Sequence, residues 1–234
     1  MATTLSEERV TILGSGNIGT VIADSISINI RRLPQYIHKV RWWVFHEIIN
    51  GEKLSDIINS KHENVKYLPG KQLSNIIEAV TDIELACMDC TILILCLPPQ
   101  YLSRLLPTIQ PCLSKRCKIL NVCKDLDYKG NGEKFSTYST ILGSQLQREV
   151  CVLHGCYHVD NLINCEEVEG TIGCKNTNTG NIFKQLFENK AFSINVVEDI
   201  VLVELTSVLT HVCGLCGGFV DALDVSTNTK ARGT

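Results

Sequence analysis

The stretch Val10-Thr11-Ile12-Leu13-Gly14-Ser15-Gly16-Asn17-Ile18-Gly19 decides the fold. Four apolar or β-branched residues run straight into Gly-x-Gly-x-x-Gly, and Thr20 to Ile26 continue with apolar residues at helical spacing. The order is strand, tight turn, helix. Gly14 allows a sharp turn, Gly16 lets the backbone approach a pyrophosphate without an intervening Cβ, and Gly19 lets helix and strand pack closely. The helix N-terminus then presents unpaired N–H groups and a positive dipole end to the phosphates. Glycines at this spacing also occur in βα turns that hold no ligand. The flanking strand and helix favour a nucleotide-binding turn, and assign Gly14, Ser15, Gly16, Asn17, Ile18 and Gly19 to the cofactor.

Outward from this turn, Val40 to Phe45 reads as a second strand, followed by His46 and Glu47. In a dinucleotide fold the end of that strand reaches the adenosine ribose, where an acidic residue commonly accepts from the hydroxyls. Phe45 is a candidate to stack on adenine, or else a core aromatic. Lys53 to Lys61 has a helical pattern, His62 to Gly70 reads as a loop, and Asn75 to Asp89 reads as a helix. Thr91 to Leu97 is nearly all apolar, as in a parallel strand covered on both faces, and Pro98-Pro99 ends it. A helix over Gln100 to Ile109 and a strand over Lys118 to Cys123 follow, the latter ending at Lys124. Alternating strands and helices predict a doubly wound parallel sheet whose ligands bind beyond the carboxyl ends of the strands.

The 234 residues are 44% hydrophobic and 20% charged, enough for one good core or a domain with an appendage. A net charge of -3 gives no basic footprint, so a nucleic-acid partner is not expected. Met1 to Arg9 lacks an apolar signal core, and no uninterrupted apolar stretch reaches about 18 residues. A soluble intracellular protein with no membrane partner is expected. Its 12 cysteines should then be reduced thiols. Two pairs, Cys87 with Cys90 and Cys213 with Cys216, have C-x-x-C spacing, but a zinc site would need them to converge from stretches read as helices. They are read as small apolar side chains in helix cores, and no metal is expected.

Several segments carry a family resemblance. Gly14-Ser15-Gly16-Asn17, Trp43-Val44-Phe45, the loop His62 to Gly70, the strand ending at Pro98, Lys124, Thr171-Ile172-Gly173-Cys174-Lys175 and Asn228-Thr229-Lys230-Ala231 fall in one order and spacing. In them the chain resembles the cytosolic NAD-dependent glycerol-3-phosphate dehydrogenases, from about Arg9 to Ala231. The resemblance implies a Rossmann-type fold, a cytoplasmic location, NAD as cofactor, and dihydroxyacetone phosphate and glycerol 3-phosphate as the substrate pair. It also implies a dimer, with a second copy or another family member. It adds Phe45, Tyr101, Lys124 and Val159 to the cofactor contacts and makes Lys124 the candidate catalytic residue. His46 after the second strand leaves the choice of NAD over NADP open.

The same resemblance marks departures. A glycine usually follows the lysine at Lys124, and Asp125 stands here; where the family has Gly-Ala-Asn beside the nicotinamide, this chain reads Gly155-Cys156-Tyr157. In the helix Val201 to Gly217 the family has Ala-Leu-Lys-Asn, whose lysine is the proposed acid; this chain has Val208-Leu209-Thr210-His211. A threonine cannot serve as an acid near neutral pH. After Ala231 only Arg232-Gly233-Thr234 follow, whereas the family continues through a helical domain carrying the arginine that grips the substrate phosphate. The expected organisation is an NAD-binding domain over 1–195 and a remnant, the first helix of a truncated all-helical domain, over 196–234. The expected function is an NAD-binding oxidoreductase-family member with little activity by itself, or alternatively a non-catalytic relative that associates with a complete paralogue.

Overall fold

The computed structural model describes residues 7–123, 126–127, 136–155, 159–163 and 166–223. Eight strands form one sheet: β1 (Glu8–Leu13), β2 (Tyr36–Trp43), β3 (Ile77–Val80), β4 (Ile92–Leu95), β5 (Lys118–Asn121), β6 (Val150–His154), β7 (Val168–Gly173) and β8 (Phe192–Val197). Among the described residues, eight helices connect or cover them: α1 (Asn17–Ile30), α2 (Leu54–Lys61), α3 (Ile83–Cys87), α4 (Pro99–Cys112), α5 (Tyr138–Leu146), α6 (Val159–Ile163), α7 (Thr177–Phe187) and α8 (Ile200–Ala222). The spatial order is β3-β2-β1-β4-β5-β6-β7-β8. Neighbours from β3 through β6 are parallel. The first six strands therefore take the 3-2-1-4-5-6 order of the doubly wound dinucleotide fold. β7 turns antiparallel to β6, and β8 pairs parallel to β7, two strands that the sequence reading did not place.

Alternation within strands that are apolar on both sides splits the core in two. Ile12, Trp42, Ile92 and Ile94 point to the layer holding Ile22 and Ile26 of α1 and Phe183 and Phe187 of α7. Leu13, Trp43, Leu93 and Leu95 point to the layer holding Leu102, Leu106 and Ile109 of α4 and Leu142 of α5. The helix expected over Asn75 to Asp89 is instead β3 followed by α3. Ile77 and Ala79 are buried and alternate with half-buried neighbours, a strand period. Asp82 then starts the short helix, its side chain accepting from the backbone N–H groups of Glu84 and Leu85.

α8 divides into two parts. Ile200, Val203, Glu204 and Ser207 are buried against the sheet. Glu204 accepts from the Ser139 backbone N–H at 2.9 Å and from the Ser139 hydroxyl, so a carboxylate sits at the N-terminal turn of α5, where the helix dipole favours it. Beyond Ser207 the apolar side chains stand in the open, Leu215 at 65% and Phe219 at 68% exposure. By length and composition α8 could cross a membrane, with a mean hydropathy of 1.8 over 18 residues. A helix whose first turns are packed into an α/β core passes the same test.

The cysteines depart from expectation at two points. Cys151 is bonded to Cys174, with Cα atoms 4.7 Å apart. Cys87 and Cys90 are buried as expected, whereas Cys213 and Cys216 are exposed on the open part of α8 rather than in a core.

Candidate functional site

Leu13 of β1 lies beside Trp43 of β2 and Leu95 of β4, so these three strands end in one row. The order of the sheet reverses between β1 and β4, and the glycine turn leaves the sheet at this switch point. Gly14 adopts φ +116°, and a Cβ there would lie 2.6 Å from the Cys96 carbonyl oxygen. A Cβ on Gly19 would lie 2.0 Å from the Gly14 carbonyl oxygen. Those two glycines are required by the fold itself. Gly16 differs: its backbone is extended, with φ -69° and ψ -177°, and nothing lies within 4 Å of a Cβ built on it. The space in front of Gly16 is what a pyrophosphate needs.

Gly16 is also the N-cap of α1, with no side-chain cap and no acidic residue in the first turn. The first N–H groups of a helix have no intrahelical acceptor, so this 14-residue helix offers donors and its positive dipole end to an anion. Asn17 is exposed and Ile18 half-buried at the mouth, while Ser15 is buried. These residues fit a dinucleotide.

Two side chains that the sequence reading gave no role hold the turn in shape. The indole N–H of Trp42 donates to the Gly14 carbonyl at 2.8 Å. Asn64, fully buried, donates from Nδ2 to the Ser15 carbonyl at 3.0 Å and to Thr20 Oγ1 at 2.9 Å, while its Oδ1 accepts from the Tyr67 N–H at 3.3 Å. Thr20 Oγ1 in turn donates to the Gly16 carbonyl at 2.8 Å. The loop His62 to Gly70, quoted above for its resemblance, therefore clamps the glycine turn through Asn64; that resemblance was the one signal of its importance. Asn64→Ala leaves buried polar groups unpaired and is expected to cost about 2 to 3 kcal/mol. Urea unfolding checks this, and an unchanged midpoint would show that the clamp does not support the fold.

Phe45 and Tyr101 are exposed by 60% and 57%, Phe45 two residues beyond β2 and Tyr101 in the first turn of α4. Phe45 is thus not a core aromatic, although it meets Trp43 edge-on at 6.3 Å between ring centroids. His46 is exposed. The nearby carboxylate, Glu47, is paired with Lys66 at 2.5 Å, and this hydrogen bond raises the Lys66 pKa above its ordinary value. Lys124, Cys156, Tyr157 and His158 lie outside the described residues, as does the side chain of Val159, whose backbone opens α6. Thr210 is half-buried on α8, and its hydroxyl donates to the Ser207 carbonyl of the same helix at 2.6 Å. His211 is exposed one position on, about 100° around the helix axis.

An α/β sheet of this order, with a glycine turn and an uncapped helix N-terminus where the order reverses, defines a dinucleotide-binding protein. Residues 9–180 match the family described as NAD-dependent glycerol-3-phosphate dehydrogenase N-terminus, and the chain belongs to that family. It is 36% identical to the human cytoplasmic glycerol-3-phosphate dehydrogenase [NAD(+)] over 227 residues, covering 97% of this chain and 64% of that one. It is 37% identical over 238 residues to the probable glycerol-3-phosphate dehydrogenase 2 of Caenorhabditis elegans, covering 97% of this chain and 61% of that one. The structure of glycerol-3-phosphate dehydrogenase from Saccharomyces cerevisiae superposes with a TM-score of 0.88 at 28% identity, over 97% of this chain and 66% of that one. The Plasmodium falciparum structure gives 0.87 at 29%, over 97% and 62%. The chain thus spans less than two thirds of the length of those curated relatives. NAD is the cofactor of the family.

Proposed function

We propose that this chain binds NADH at the glycine turn but, in these 234 residues alone, reduces dihydroxyacetone phosphate very slowly or not at all. The observation that carries the first half is the open cradle at Gly16 beside an uncapped α1. The second half rests on Thr210, whose hydroxyl is tied to its own helix at the position where the family resemblance places the proton-donating lysine. Bound NADH would supply the hydride. The residues of this chain would orient the cofactor: α1 and Gly16 hold the pyrophosphate and Phe45 and Tyr101 flank it, while the family resemblance makes Lys124 the candidate catalytic residue. Calorimetry with NADH, followed by a steady-state assay with dihydroxyacetone phosphate, tests both halves.

The division into a cofactor-binding part, 1–195, and the start of a helical substrate part, 196–234, belongs to the same proposal, as does a cytoplasmic location. Support for the division comes from the open part of α8, where Leu209, Val212, Leu215 and Phe219 are each more than half exposed. Apolar faces of this kind mark interfaces. A second copy or another family member is the proposed occupant, which makes the protein a homo- or hetero-dimer. Light scattering of the purified chain is expected to show an oligomer, and a monodisperse monomer at high concentration would overturn this. The non-catalytic reading, in which the chain acts only through such a partner, is favoured over residual catalysis by the bonded hydroxyl of Thr210.

A further inference from the structure

Away from the glycine turn, Cys151 on β6 and Cys174 just after β7 face one another across the antiparallel ladder. Val152 pairs with Gly173, and the next rung brings the two cysteines together, buried and bonded. Glu149 is exposed, yet its Oε1 lies 3.7 Å from Cys151 Sγ and 3.4 Å from Cys174 Sγ. The Asn176 carbonyl oxygen is another 3.4 Å neighbour of Cys174 Sγ. A disulfide has no proton to donate, so in the bonded state the carboxylate and carbonyl lone pairs face sulfur lone pairs. The same oxygens become useful when the sulfurs carry protons or share a cation.

We propose that Glu149, Cys151 and Cys174 form a binding site for a soft divalent cation of the zinc class, available when the cysteine pair is reduced. Their ligand atoms lie within 4.8 Å of one another. Two thiolates and a carboxylate suit such a cation, and the Asn176 carbonyl or a water can complete a four-coordinate shell. Glu149, the exposed member of the three, also lines a cavity of about 490 Å³, so the carboxylate side of the site faces open space. An external thiol opens the site: two RSH become RSSR, and the two hydrogens pass to Cys151 and Cys174. Binding then releases both thiol protons to solvent as the two metal–sulfur bonds form. The bound cation ties β6 to β7 where the sheet turns antiparallel.

The test uses the full chain carrying Cys213→Ser and Cys216→Ser, both at exposed positions of α8, reduced with a phosphine and titrated with Co²⁺. One equivalent should bind with thiolate-to-cobalt charge-transfer absorption, and the oxidised chain should show none. Cys151→Ser and Cys174→Ser should each remove the band, and Zn²⁺ should displace the cobalt. Glu149→Gln, at an exposed position that leaves folding intact, should weaken Co²⁺ binding by about tenfold or more. The proposal is overturned if the reduced chain shows no band, if the band survives Cys151→Ser, or if Glu149→Gln binds as tightly as the parent.

Discussion

Gly16→Val is expected to lower NADH affinity by about a hundredfold or more, which is about 3 kcal/mol, while leaving the fold intact. The two effects separate because of where Gly16 stands. Its φ of -69° suits any residue, and no atom lies within 4 Å of a Cβ there, so a side chain starts into open space. What valine does occupy is the approach of the pyrophosphate to the first N–H groups of α1. Gly19→Val is the contrast: a Cβ 2.0 Å from the Gly14 carbonyl oxygen must push strand and helix apart, so stability and binding should fall together. Calorimetry with NADH and thermal unfolding on both variants check the pair. Equal NADH affinity in Gly16→Val and the parent would show that the cofactor lies elsewhere.

That contrast also shows what the sequence could and could not tell. Gly14 and Gly19 were readable because each has a local reason to be glycine within one strand–turn–helix unit. Strands β1, β4 and β5 were readable because a strand covered on both faces carries an almost continuous run of apolar or β-branched residues, as in Val10 to Leu13 and Ile92 to Leu95. The segment from Asn75 to Asp89 was misread because its apolar positions suit either period until Asp82 is seen to cap a new helix. Asn64 and Trp42 escaped because their work is done on residues 49 and 28 positions away, Ser15 and Gly14. The Cys151–Cys174 bond, with its sequence separation of 23, depends on β7 running antiparallel to β6, and no local pattern announces that reversal.

Catalysis is where sequence and structure meet on a single residue. A positioned general acid contributes roughly 10²- to 10⁴-fold, about 3 to 5 kcal/mol of barrier. On the proposed reading Thr210 stands where that acid would be, and its hydroxyl, which donates to Ser207 of its own helix, cannot protonate a carbonyl near neutral pH. His211 has a suitable chemistry but projects about 100° away. The match covers 64% of the human relative, and the family resemblance places the substrate-phosphate grip outside the matched part. An anchor and an acid act on different terms, orientation and proton transfer, so supplying one leaves the other limiting. Four samples should therefore behave unevenly in a steady-state NADH oxidation assay with dihydroxyacetone phosphate. The chain as it stands, Thr210→Lys, and the chain extended by the C-terminal part of a relative should all turn over close to background. The extended Thr210→Lys protein should exceed each of them by about 10²-fold or more. Substantial turnover by the unmodified chain would sink this account and make Lys124 and His211 the acids to test next.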